Sequence, residues 1–317
     1  MVENDCDHAG NEEVFMDSLI DEISRLKKEK NAVILAHYYV NEEVQGIADY
    51  IGDSYYLSKI ATKVEEDTIV FCGVHFMGES AKILNPRKRV LVPDMSADCP
   101  MAHMVDINKI KEMREKYIDL AVVCYINSTA KVKTYADVCV TSSNAIDIVS
   151  ALPNQYIYFI PDENLGRYIA SQVPEKTFLF NDGFCHVHTS ISKENVCNAK
   201  AAKPKAKVLV HPECKLEILE MADYIGSTSG IIDFATKSDA EEFIICTEMG
   251  ILYELRQKNP NKRFYSVGHR QFCPNMKRIT LEKVRDVLDY SKNQVEIEEE
   301  LRCRANEPLK RMLELAK

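Results

Sequence analysis

Residues 34–54 read ILAHYYVNEEVQGIADYIGDS, and two later stretches of the chain resemble this one closely. Residues 122–142 read VVCYINSTAKVKTYADVCVTS, and residues 208–228 read VLVHPECKLEILEMADYIGST. The three segments align without a gap, and their Ala-Asp pairs place an aspartate at 49, 137 and 223, which gives spacings of 88 and 86 residues. A repeat at a nearly fixed period predicts three copies of one structural unit.

Each copy opens with an apolar run that we interpret as a buried strand, and two further apolar runs follow. The second runs are TIVFCGV, YIYFI and EFIIC, and the third are RVLVP, TFLFN and RFYSV. Helical stretches separate them, a pattern typical of parallel α/β units. We therefore predict an α/β fold with three similar αβα domains, each with a parallel sheet, around a pseudo-threefold axis. The predicted units are residues 17–105, 106–192 and 193–280, followed by a helical extension at 281–317 in which Pro308 begins the last helix.

Composition narrows the class of protein. The 317 residues are 46% hydrophobic and 28% charged, as expected for a globular protein. Forty basic and 49 acidic residues give a net charge of −9, which argues against nucleic acid or an anionic membrane as the main partner. The apolar runs are too short to span a bilayer, and the polar N-terminus lacks a signal pattern. We expect a cytoplasmic protein.

Polar side chains recur where the first strand of each unit ends. Ligands of parallel α/β sheets gather at that edge. The recurring positions are His37, Tyr125 and His211 after the strand, Tyr39, Asn127 and Glu213 two residues later, and Ser54, Ser142 and Thr228 at the end of each segment. With His188, these side chains are candidates to bind a small anion, helped by hydroxyls and N–H groups at helix starts. Glu213 is the candidate general base, with a pKa that burial is expected to raise.

Three of the eleven cysteines also follow the repeat. Cys99, Cys185 and Cys273 each come after the last strand of a unit, 62, 60 and 62 residues from His37, Tyr125 and His211. Around a threefold axis their thiols would converge. Three thiolates without a fourth favour a 4Fe–4S cluster with one open iron, because structural zinc normally takes four closed ligands. The alternative is that these cysteines are core residues, as we expect for those inside strands.

Several motifs together resemble the bacterial quinolinate synthase family, from about His37 to Val284. They are ILAHYY, EVQGIADYIGDS, VHFMGESAKIL, VTSSNA, HPEC, ADYIGSTSG and CPNMKRITLEKV. The resemblance implies condensation of iminoaspartate with dihydroxyacetone phosphate, with loss of phosphate and water, to form quinolinate for de novo NAD synthesis. It also implies an open iron acting as a Lewis acid and a transient contact with an iminoaspartate-producing enzyme.

The resemblance assigns roles residue by residue. Cluster ligands fall on Cys99, Cys185 and Cys273. Catalytic residues fall on Glu213, Tyr39, His37, His211 and Tyr125, and substrate-binding residues on His37, Ser54, Tyr125, Asn127, Ser142, His188, His211, Glu213 and Thr228. The alternatives are another 4Fe–4S hydro-lyase acting on a small carboxylate, a non-catalytic iron–sulfur sensor, and a sugar-phosphate binding protein whose cysteines are core residues.

Overall fold

Three four-stranded sheets form the scaffold, one from each copy of the repeat. The structure, a computed structural model, describes residues 6–268 and 271–316, with side chains from residue 16 onward. The strands are β1 (Ala32–His37), β2 (Tyr50–Gly52), β3 (Thr68–Cys72) and β4 (Arg89–Leu91), then β5 (Leu120–Tyr125), β6 (Val138–Val140), β7 (Tyr156–Ile160) and β8 (Thr177–Phe180), then β9 (Lys207–Val210), β10 (Tyr224–Ile225), β11 (Glu242–Cys246) and β12 (Arg263–Ser266).

All three sheets share one topology. The strand orders are β2-β1-β3-β4, β6-β5-β7-β8 and β10-β9-β11-β12, and every pairing within them is parallel. The predicted α/β class with three similar parallel sheets is therefore confirmed. The sheets span residues 32–91, 120–180 and 207–266. The exact domain boundaries of the previous section stay predictions.

Helices connect the strands as parallel pairing requires. They are α1 (Cys6–Glu29), α2 (Glu42–Gly46), α3 (Ser54–Ala61), α4 (His75–Leu84), α5 (Ile107–Lys116), α6 (Ala130–Lys133), α7 (Ala145–Ala151), α8 (Glu163–Gln172), α9 (His186–Thr189), α10 (Lys193–Ala202), α11 (Leu216–Leu219), α12 (Thr228–Lys237), α13 (Ile251–Lys258), α14 (Leu281–Tyr290) and α15 (Glu299–Leu315). Short 3-10 turns at Pro100–His103 and Met276–Arg278 follow Cys99 and Cys273.

The repeated aspartates explain why the Ala-Asp pair recurs. Each carboxylate accepts a hydrogen bond from a backbone N–H of its unit's first strand, and each aspartate N–H donates to the carbonyl of that same strand residue. The pairs are Asp49 with Ile34, Asp137 with Val122, and Asp223 with Val208, at 2.7–2.9 Å. The pair is thus a structural connection between the first strand and the next one along the chain.

A repeated lysine also makes structural hydrogen bonds, next to the last strand of each sheet. Lys88, Lys176 and Lys262 come just before the last strand of their units. Each Nζ donates to backbone carbonyls at or just after the C-terminus of the helix that precedes the third strand, which is α3, α7 or α12. A cation at a helix C-terminus satisfies carbonyls that the helix leaves unpaired.

Three features differ from the sequence-based prediction. A fourth strand (β2, β6 or β10) follows the Ala-Asp pair in every unit, too short for periodicity to reveal. Pro308 lies inside α15 instead of beginning it. The extension is also not wholly helical, because residue Gln294, between its two helices, forms an antiparallel bridge with Leu91 of β4. That bridge covers part of an exposed sheet edge.

The buried apolar residues are divided unequally among the three units. One continuous apolar cluster includes the first two units and both helices of the C-terminal extension, whereas the third unit has two smaller clusters. In the described part of the chain, we find no helix with the length and apolar character needed to cross a membrane.

Candidate active site

One cavity lies at the carboxyl ends of strands from all three sheets. Every residue nominated from the sequence lines it, namely His37, Tyr39, Ser54, Cys99, Tyr125, Asn127, Ser142, Cys185, His188, His211, Glu213, Thr228 and Cys273. Parallel topology accounts for this gathering, because the chain leaves each strand at the same edge of its sheet. His37 and Tyr125 are the last residues of β1 and β5, and His211 follows β9 directly.

Two histidines share one hydrogen-bond arrangement. The backbone N–H of Tyr39 donates to His37 Nδ1 at 3.2 Å, and the N–H of Glu213 donates to His211 Nδ1 at 3.3 Å. Nδ1 is therefore an acceptor in both rings, so each neutral ring carries its proton on Nε2. Burial lowers the pKa of both histidines to about 3, which keeps them neutral at neutral pH. Each offers Nε2–H as a donor; His211 Nε2 lies 3.2 Å from Ser142 Oγ.

Tyr39 connects the first unit to the third. Its hydroxyl lies 2.8 Å from Thr228 Oγ1 and 2.9 Å from Thr247 Oγ1, and its ring meets the His37 ring edge-on with centroids 4.5 Å apart. Burial raises the pKa of Tyr39 well above its ordinary value, although both threonine hydrogen bonds oppose the shift. Tyr39 is thus a neutral hydroxyl at neutral pH.

Glu213 and His188 form a buried pair. His188 Nδ1 lies 2.6 Å from Glu213 Oε2, and the His188 ring stacks on that of His211 with centroids 4.5 Å apart. Burial alone would raise the pKa of Glu213, but His188 above all, with His211 and Tyr125, lowers it to about 2. The prediction of a raised pKa for Glu213 is therefore wrong, because the neighbouring donors stabilise the anion more than burial disfavours it.

Two acceptor atoms in this cavity have no hydrogen-bond partner among the described residues. They are Glu213 Oε1 and Asn127 Oδ1, both buried and at equivalent positions of the repeat. A buried acceptor left unpaired costs on the order of 1–3 kcal/mol, so such atoms commonly mark the place of a ligand donor. Both would suit an N–H or O–H group of a bound molecule.

The three predicted ligand cysteines differ from the others in exposure. Cys99, Cys185 and Cys273 are partly exposed and line the cavity, and all ten cysteines whose side chains are described are free. The rest are buried, at Cys72, Cys124, Cys139, Cys214 and Cys246, or exposed, at Cys197 and Cys303. Burial raises the pKa of the Cys99 thiol to about 12, and raises that of Cys185 and Cys273 too. A metal at this point would stabilise the thiolates that these surroundings disfavour.

Cys185 also belongs to a second group with metal-binding side chains. One ligand atom from each of Cys185, His188 and Glu213 lies within 4.8 Å of the others. However, the 2.6 Å between His188 Nδ1 and Glu213 Oε2 is a hydrogen-bond distance. Two ligands of one zinc ion, each bound at about 2.0–2.2 Å in tetrahedral geometry, lie further apart than that. We interpret the trio as a hydrogen-bonded group.

Sequence reasoning missed several residues of the cavity. Glu248 and Asp53 line it, and Thr247 bonds both Tyr39 and His188. The repeat held a usable signal for Glu248. It lies 86 residues after Asp162, which is the spacing between the second and third units, so the two carboxylates occupy equivalent positions of the repeat. Both are buried carboxylates at the end of a strand.

A cavity that collects thiols, imidazoles and carboxylates from three equivalent α/β units is the site of a three-unit α/β enzyme. The family model described as quinolinate synthetase A protein matches residues 21–314. The chain belongs to this family, which confirms the resemblance seen in its motifs.

Individual relatives are similar in sequence to this chain over nearly their whole length. The quinolinate synthase of Fusobacterium nucleatum is 56% identical over 296 residues, covering 93% of this chain and 99% of that protein. The quinolinate synthases of Caldicellulosiruptor saccharolyticus and Clostridioides difficile are 54% and 52% identical over 295 residues, covering 93% of this chain and 97% of each protein.

Proposed function

We propose that this chain is a quinolinate synthase, which condenses iminoaspartate with dihydroxyacetone phosphate and releases phosphate and water in de novo NAD synthesis. We further propose that Cys99, Cys185 and Cys273 hold a 4Fe–4S cluster. The main support is one observation: three partly exposed thiols from equivalent loops line the same cavity as Glu213, Tyr39 and the neutral histidines. Family membership and the names of the relatives support the same activity.

The donor set fits such a cluster. Three thiols without a disulfide match the ligands that iron–sulfur clusters take from proteins. When bound, a cluster with three protein ligands supplies one iron with an open position, which is a Lewis acid.

The chain's own residues bind and orient the reactants. Ser54 and Thr228 are the first residues of α3 and α12, where helix N–H groups favour carboxylate or phosphate. The Nε2–H groups of His37 and His211 are donors to the same kind of oxygen. Asn127 Oδ1 and Glu213 Oε1, which lack partners among the described residues, accept from substrate N–H or O–H groups.

Glu213 is the proposed base. Its Oε2 is hydrogen-bonded to His188, so Oε1 is the oxygen that takes a proton. The carboxylate is ionised at neutral pH, as an ordinary glutamate would be, and its lowered pKa makes it a weaker base than an ordinary glutamate. Tyr39 and Tyr125, whose pKa values burial raises, remain protonated and act as hydrogen-bond donors in this proposal.

An anaerobic turnover assay tests the proposal. Cluster-reconstituted protein receives dihydroxyacetone phosphate and freshly generated iminoaspartate, and quinolinate is sought by mass spectrometry. We expect quinolinate from the wild type and none from Cys99→Ala, Cys185→Ala or Cys273→Ala. Absence of product from protein with full iron and sulfide would reject the substrates and favour a different dehydration of a small carboxylate.

A further inference from the structure

The three predicted ligand loops are fixed by the same backbone hydrogen bond. In each unit an N–H group just beyond the third strand donates to the carbonyl two residues before the cysteine. The pairs are His75 with Ala97 at 2.7 Å, Glu163 with Gly183 at 2.8 Å, and Met249 with Gln271 at 2.7 Å. The three loops share this backbone hydrogen bond, so the contacts of their side chains are what we compare next.

The backbone N–H of each predicted ligand cysteine donates to a carboxylate. The pairs are Cys99 with the adjacent Asp98 at 2.8 Å, Cys185 with Asp162 at 3.1 Å, and Cys273 with Glu248 at 3.1 Å. Asp162 and Glu248 are completely buried, whereas Asp98 is partly exposed. Burial of a carboxyl group is unfavourable unless it is hydrogen-bonded, and both oxygens of Asp162 and of Glu248 accept from backbone N–H groups, which is consistent with a positioning role.

Glu248 has a second connection that reaches the first unit. Its Oε1 lies 3.5 Å from Lys277 Nζ, and the same Nζ donates to the backbone carbonyl of Tyr39 at 2.9 Å. Its Oε2 accepts from Gly250 N–H at 2.6 Å. A Cβ at Gly250 would lie only 2.7 Å from Tyr39 Cα, so this position requires glycine. The hydrogen bonds of Asp162 stay within the second unit.

We propose that Glu248, acting through Lys277, is a positioning residue that connects the Cys273 loop to Tyr39. The inference rests on the proposed cluster. Iron held by Cys273 fixes its loop, and Glu248 and Lys277 transmit this restraint to the Tyr39 carbonyl. The hydroxyl of Tyr39 is already held by Thr228 and Thr247, so the whole residue becomes fixed when the cluster is bound.

Hydrogen exchange measured by mass spectrometry tests this connection. The N–H of Tyr38 donates to Gly52, and those of Tyr39 and Val40 donate to His37, so a peptide covering them reports on this turn. We compare metal-free and anaerobically reconstituted protein for the wild type, Lys277→Met, Lys277→Arg and Arg278→Met. Arg278 is the matched control because it lies on the same turn but contacts Asp94 and Ser96 at the surface.

We expect reconstitution to slow exchange in the wild-type peptide about tenfold, as local opening becomes rarer. Arg278→Met should behave like the wild type, and Lys277→Arg should recover much of the effect. Lys277→Met should bind the same iron and sulfide but lose the slowing. Equal slowing in Lys277→Met, or none in wild type with full iron, would overturn the inference. A wild type that binds no iron would instead overturn the cluster assignment on which it rests.

Discussion

Nδ1 of His188 lies 2.6 Å from Oε2 of Glu213, with the two side chains only 2% and 3% exposed. The same His188 nitrogen lies 3.2 Å from Cys185 Sγ. One imidazole nitrogen thus contacts both the proposed base and a proposed cluster ligand. This arrangement engages one carboxylate oxygen and leaves the other for a ligand.

Replacement of Glu213 tests its role as the base. We expect Glu213→Gln to lower kcat by about 10²–10⁴, the usual contribution of a general base, in cluster-loaded protein. Glu217→Gln, an exposed position in the same segment, should keep normal activity. Iron content should be unchanged in both. Activity of Glu213→Gln within about threefold of the wild type would remove this residue from the mechanism.

The cysteines are predicted to divide into three groups by iron content and stability. Cys99→Ser, Cys185→Ser and Cys273→Ser should each lose most iron and sulfide after anaerobic reconstitution, because each removes a ligand. Cys197→Ala, at an exposed position, should keep full iron and stability. Cys246→Ala should keep iron but unfold more easily, because Cys246 is packed inside β11. Iron loss in Cys246→Ala equal to that in Cys273→Ser would contradict the ligand assignment.

The neutral histidines predict a loss of stability in mild acid. The pKa of His37 and of His211 is about 3 in the folded protein and about 6.5 when unfolded, so the unfolded chain binds more protons between these values. Folding stability therefore falls as pH drops below 6.5. At pH 5.5 the loss is on the order of 1 kcal/mol for each histidine.

Urea unfolding of the metal-free protein at pH 7.5 and 5.5 measures this effect. The His37→Gln variant should lose roughly half of the difference that these two histidines cause. Glu213 affects the folding stability only at lower pH. Its lowered pKa stabilises the folded state above pH 4.5, and that contribution is lost as pH falls toward 2. A His37→Gln variant with the wild-type difference would show that His37 is protonated in the folded state.

The repeated aspartates should stabilise the fold to a similar degree in each unit. We expect Asp223→Ala to lower the free energy of unfolding by about 1–3 kcal/mol, because Val208 N–H loses its partner inside the sheet. Asp223→Asn, which keeps an acceptor oxygen, should cost less. Denaturant unfolding at neutral pH provides the measurement. A cost for Asp223→Ala below about 0.5 kcal/mol would mean that the hydrogen bond is replaced by water.

Much of the architecture was accessible from the sequence because the repeat supplied an internal comparison. A single His37 or Glu213 after a strand is ambiguous, but aligned copies fix which residues share a position and therefore which lie at the same sheet edge. The three predicted ligand cysteines line one cavity for the same reason. The short strands β2, β6 and β10 escaped prediction because two or three residues hold too little periodicity.

The electrostatics of the site were not accessible from the sequence. The pKa of Glu213 depends on His188, which comes from another unit and whose distance no spacing along the chain reveals. Thr247 and Lys277 escaped notice for a similar reason, since their contacts with Tyr39 cross from the third unit to the first. Alignment of the repeats identifies which residues occupy equivalent positions in the units. Contacts between residues of different units can be seen only in the folded structure.

The repeated aspartate has an evolutionary consequence. Asp49, Asp137 and Asp223 make the same bond in all three units, yet the positions facing the cavity carry Tyr39, Asn127 and Glu213. A scaffold that exists in triplicate leaves each copy free to diverge where it meets the others. If the units arose by duplication, an ancestral symmetric trimer would have had three identical groups at its centre. Fusion into one chain is what permitted a hydroxyl, an amide and a carboxylate to be placed there together.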